Sequence, residues 1–123
     1  MRYEFITEYS DDEIMNILRW GSKKELEMMS LSVGEHHSNY LFAQDVCFFL
    51  LDNVDESIRA NAVLGLSYIA RRFRQLDTEK MKSILMKYEM PTGKNLERME
   101  CAFDDISLFL DVDIENLYNS SLE

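Results

Sequence analysis

Three groups of side chains in this 123-residue chain are of the types that do chemistry. His36 and His37 have the donor type for a metal. Neighbouring residues point apart on any regular element, however, and no Cys or third His is spaced to complete a site. The pair reads instead as part of a polar helix-capping loop. Cys47 has no sequence partner that marks it as a nucleophile, and it falls on an apolar face. Asp104, Asp105, Asp111 and Asp113 would suit acid–base work if two of them faced one substrate. Adjacent carboxylates on a helix project in different directions, so a solvated acidic face is the better reading. No glycine-rich phosphate loop and no Ser-His-Asp pattern occurs. These residues point to no enzyme, no metal and no cofactor.

The charge pattern says more. The chain carries 13 basic and 23 acidic side chains, a net charge of −10. Residues 1–54 are net −6, residues 55–90 net +2 and residues 91–123 net −6. An acidic surface repels phosphates, which excludes nucleic acid as a direct partner and favours a basic protein. Glu97, Glu100, Asp104, Asp105, Asp111 and Asp113 are the densest acidic group and the first candidate contact with such a partner. Tyr68, Arg71 and Arg72 form a second candidate, because they lie off the apolar stripe of their helix and Tyr and Arg often anchor interfaces. Packing between helices is an equal alternative for this second group.

These side chains need elements to hold them, and the periodicity supplies helices. Ile58, Ala62, Leu66, Ile69 and Phe73 recur at steps of three and four, on one face of a helix that Asp55 caps. Ser10 with Glu13, and Ser22 with Glu25, have the spacing of capping boxes. They open helices that end at Gly21 and at about Val33, with Gly34 closing the second. A third helix, from about Tyr40 to Leu51, is apolar nearly all round and is expected to be central. Asp77 opens a fifth helix that turns Met81, Ile84, Leu85 and Tyr88 inward. A sixth runs from a possible cap at Thr92 to about Leu110, and the tail adds a short helix around Ile114 to Tyr118. Cys47 and Cys101 both fall in apolar patterns as small core residues.

The expected fold is all-α, one domain over 1–123. The four Gly and one Pro suit helices, and no apolar run approaches the ~20 residues of a membrane span. The N-terminus has neither the basic start nor the apolar run of a signal peptide, so a reducing cytoplasm is the expected location. A shift of 37 residues lays Leu66, Ile69 and Phe73 on Phe103, Ile106 and Leu110. That period, with two helices per unit, is the spacing of an α-solenoid. It divides the chain into antiparallel hairpins at 10–33, 39–74 and 77–110.

Asp55, Ile58, Arg59, Ala62 and Leu66 resemble the second-helix pattern of HEAT repeats, D-x-x-[VI]-R-x-x-A-x-x-x-L. The third hairpin departs from it, with Leu96 where the Arg should stand. SDDEIMNIL, YLFAQDVCFFLLDN, RANAVLGLSYIARRFRQLD and CAFDDISLFL, in that order, are similar to a family of small bacterial HEAT-like proteins. Members of that family are often immunity proteins encoded beside polymorphic or contact-dependent toxins. The resemblance implies a HEAT-like solenoid of about three hairpins. It also implies a non-enzymatic inhibitor of a cognate toxin C-terminal domain. The acidity suits a nuclease, whose groove is basic. A HEAT-type adaptor without a toxin partner is the alternative. The free chain is expected to be a monomer, although no pattern fixes its oligomeric state.

Overall fold

The computed structural model describes residues 6–111 and folds them into six helices, with no strand among the described residues. They are α1 (Asp11–Trp20), α2 (Lys23–His36), α3 (Tyr40–Leu51), α4 (Glu56–Phe73), α5 (Thr78–Leu85) and α6 (Gly93–Leu110). Asp113 and the expected helix around Ile114 to Tyr118 lie outside the described residues. Among those residues no helix is long and apolar enough to cross a membrane.

The helix starts follow from local chemistry. In α1 the Ser10 hydroxyl accepts from the Glu13 amide at 3.2 Å, and the Glu13 carboxylate accepts from the Ser10 amide at 2.8 Å. Ser22 and Glu25 repeat the box at 3.2 and 2.9 Å. The Asp55 carboxylate accepts from the Ser57 and Ile58 amides, and Asp77 from the Lys80 amide. Each bond satisfies an amide that the first turn leaves without a helical partner. Asn39 caps α3 in the same way through the Phe42 amide. Thr92 stands at the N-cap position of α6 but makes no side-chain cap bond.

Helix α4 is the centre of the molecule, flanked by α2, α3 and α6. Its Ile58, Ala62, Leu66 and Ile69 are all buried. The tightest packing is with α2, and it depends on two glycines. A Cβ on Gly34 would meet the Gly65 carbonyl oxygen at 2.6 Å, and one on Gly65 would meet the Ser30 carbonyl carbon at 2.8 Å. Gly34 therefore does not close α2, as its sequence context suggested. It lies inside the helix, which continues to His36. A mid-helix glycine costs roughly 0.5–1 kcal/mol relative to alanine, and here it admits a neighbouring backbone.

Helices α2, α4 and α6 run parallel, side by side, with α4 in the middle. The lateral ties have a near-constant offset. Asn61 donates to the Glu27 carbonyl on α2 at 2.7 Å and accepts from Arg98 on α6 at 2.9 Å. Arg71 and Arg72 on α4 reach Glu35 and the Gly34 carbonyl on α2. These partners are 34–38 residues apart, which agrees with the 37-residue shift in the sequence. The third hairpin is looser than expected. Helix α5 approaches α3, α6 approaches α4, and the two do not approach each other. Helix α5 also ends at Leu85, so Tyr88 stands beyond it, half-buried, with its hydroxyl donating to Asp52. Lys87 donates to the same carboxylate at 2.8 Å, and these two bonds, Lys87 first, hold it below the usual carboxylate range.

Two burial expectations need correction. Helix α3 is not covered all round, because Leu41 is 64% and Phe49 60% exposed. An apolar residue on every side tells that a helix has no polar face, but not which sides find neighbours. Cys101 is exposed, not a core residue. It lies four residues after Glu97 and three before Asp104, on the outward stripe of α6, while Met99, Ala102, Phe103 and Ile106 face in. Cys47 is buried as expected, and its thiol is directed at the Ser30 carbonyl. Burial pushes that thiol up to about 12. Thiol labelling of the native chain at mild pH is therefore expected to modify Cys101 quickly and Cys47 only on unfolding. Counting fast and slow equivalents with a chromogenic disulfide reagent checks this, and two fast equivalents would contradict it.

Candidate partner-binding surface

The acidic candidates come together on α6. Glu97, Glu100, Asp104 and Asp111 are exposed, and their helical spacing places them around one outward stripe. Among the described residues none of the four has an ion-pair partner. Leu108 stands among them, 73% exposed, with Cys101 about two turns earlier on the same stripe. Four exposed carboxylates around an exposed leucine make a surface with a field and one apolar contact point.

Asp105 lies on the edge of this stripe that turns toward α4. It is close enough to Tyr68 to act on the ionisation of its phenol. Tyr68 is half-buried, and its phenol is raised first by burial and then by Glu35, with Arg71 opposing. The Arg71 guanidinium lies 5.0 Å from the Tyr68 ring centroid and pairs with Glu35 at 2.9 Å. Arg71 thus links Glu35 of α2 to Tyr68 of α4, and Asp105 of α6 lies on the side that faces Tyr68. The two candidate groups, separate in the sequence, meet at Tyr68.

Arg72 does not belong to that surface. It donates to the Gly34 carbonyl at 2.7 Å and to the His37 carbonyl at 2.8 Å. These are carbonyls at the end of α2, which the helix itself leaves unsatisfied. Arg72 caps the neighbouring helix, so the packing alternative describes it. The histidines do similar work. The His36 Nε2 is 2.8 Å from the Ile6 carbonyl, and the His37 Nε2 is 2.7 Å from the Asp11 carboxylate. The Asn39 amide donates to His37 Nδ1, so Nε2 carries the proton that goes to Asp11. Both rings fasten the N-terminal lead and α1 to the end of α2.

One feature escaped the sequence. Helices α1 and α3 both pack on α2 but do not approach each other. A groove of about 500 Å³ opens between them, lined by Met15, Leu18, Arg19, Phe42, Asp45, Val46 and Phe49. Its signal was present in the apolar excess of α3, which exceeded what one buried face needs.

No family model and no curated protein matches the sequence. The fold does have a solved counterpart. A chain in the crystal structure of a CDI complex from Cupriavidus taiwanensis LMG 19424 superposes with a TM-score of 0.67. The match covers 89% of this chain and 97% of that one, at 22% sequence identity. The two chains share a fold.

Proposed function

We propose that this chain is an immunity protein that binds and neutralises a cognate toxin domain without catalysing a reaction. The observation that carries this reading is the outward face of α6, where Glu97, Glu100, Asp104 and Asp111 are exposed around Leu108 with no ion-pair partner among the described residues. The shared fold supports it. The solved counterpart belongs to a CDI complex, and a contact-dependent toxin is the setting that the sequence resemblance implies. The parallel α2–α4–α6 layer, tied at a near-constant residue offset, supports reading the fold as a HEAT-like solenoid.

The partner proposed is a nuclease domain with a basic groove, met in the cytoplasm before it reaches nucleic acid. Carboxylates on the inhibitor occupy the positions that phosphates would take. Such a pair is steered by its fields, so association is fast at low salt and slows as salt screens it. Asp105, Tyr68 and Arg71 extend the contact across α4, with Tyr68 as the rigid anchor and Asp105 continuing the acidic edge.

The test uses the toxin domain encoded beside this gene. Reversal of Glu97, Asp104 and Asp111 to Lys is expected to slow association by about 10- to 1,000-fold at low ionic strength. Dissociation should change less, and protection of cells expressing the toxin domain should fall. Unchanged association and full protection in the triple variant would remove α6 from the contact. A neighbourhood without a secreted toxin gene would count against the toxin reading itself.

A further inference from the structure

The groove between α1 and α3 has no role in this reading, and none of its lining residues belongs to α4 or α6. We propose that it is the docking site for a second copy of this chain, forming a two-fold dimer. Met15, Leu18, Phe42 and Phe49 supply the apolar floor and walls, with Arg19 on the α1 wall and Asp45 on the α3 wall. Neither Arg19 nor Asp45 has an ion-pair partner among the described residues.

Charge selects the occupant. Two copies at net −10 each repel, and a dimer through α6 would set acid against acid. At this groove one cation and one anion cancel. A two-fold axis duplicates every contact in reverse, so Arg19 of each copy meets Asp45 of the other and both charges are paired. A strongly basic partner gains little from a face whose charges cancel, whereas an identical face is complementary to it. Apolar side chains are also left exposed there. Phe49 is 60%, Leu41 at the start of α3 64% and Met15 48% exposed. A second copy seated on the groove would cover the Phe49 and Met15 side chains that now face solvent.

Sedimentation equilibrium of the full chain over a broad concentration range tests the proposal. The expected result is a shift from monomer to dimer mass as concentration rises. Phe49→Glu, with an unchanged circular dichroism spectrum, should hold the chain at monomer mass. Arg19→Asp and Asp45→Arg should each weaken self-association by about tenfold or more, because like charges then face each other twice. An equimolar mixture of those two variants should regain the dimer, since every contact between positions 19 and 45 again joins opposite charges. Monomer mass at all concentrations overturns the proposal. So does a dimer that survives Phe49→Glu, or a mixture that associates no better than its components.

Discussion

Gly65→Ala is expected to destabilise the fold by about 2 kcal/mol, read as a lower urea midpoint at unchanged slope. In an open helix the same change would stabilise, since alanine is the better helix former by roughly 1 kcal/mol. The packing decides the sign. The new methyl carbon would stand 2.8 Å from both the carbonyl carbon and the Cβ of Ser30, with the Ser30 carbonyl oxygen nearer still. These are backbone atoms or bound directly to backbone, so they cannot swing aside. Relief requires α2 and α4 to separate, which loosens contacts along the whole seam. Overpacking of this kind costs about 1–3 kcal/mol and occasionally more, and a backbone obstacle belongs at the upper end. Gly93→Ala is the useful comparison, because nothing lies within 4 Å of its added carbon and only the φ of 63° resists. A Gly65→Ala midpoint at or above the parent would show that the seam has slack.

Arg59→Ala is expected to cost about 3 kcal/mol, a fall of roughly 10 °C in Tm. Arg59 is buried, at 4% exposure. Its Nη1 donates to the Asn53 and Val54 carbonyls at 3.0 and 2.9 Å, and its Nη2 reaches the Glu89 carbonyl at 3.5 Å. The guanidinium also lies 4.6 Å from the Tyr88 ring centroid. One side chain therefore clasps the turn before α4 to the turn after α5. Truncation leaves the Asn53 and Val54 carbonyls without this donor and removes the charge that the ring faces. Arg59→Lys should recover less than half of the loss, because one ammonium cannot reproduce the planar fork. Thermal melting by circular dichroism measures both, and an alanine variant melting within about 2 °C of the parent would show that the turns hold without the clasp.

The helix starts were legible because each is written in two or three adjacent letters. Ser10 with Glu13, Ser22 with Glu25, Asp55 and Asp77 all cap where their spacing predicts. The lateral period was legible because Leu66, Ile69 and Phe73 have counterparts one shift later. What failed was information held by a distant partner. A glycine that ends a helix and one that admits another backbone are the same letter, and Gly34 is explained only by Gly65. Arg72 had the type of an interface anchor, but its acceptors are carbonyls, which no sequence displays. Cys101 sits among apolar letters yet on the outward angle of α6. The candidate surface was half legible. The acids of α6 are exposed as expected, while their approach to Tyr68 through Asp105 depends on how α4 and α6 pack.

Helices α2 and α6 each lean on α4 and do not approach each other. The curvature of the surface from Glu35 to Asp105 is therefore set at two seams, α2–α4 and α4–α6. A change of side-chain volume at either seam alters that curvature without altering any exposed residue. Close-packed interiors transmit such changes rather than absorb them. Fit to one partner over another is then encoded in the buried glycines and in the Asn61 bridge as well as in the visible carboxylates. Two chains with identical acidic faces can therefore differ in the partner they fit.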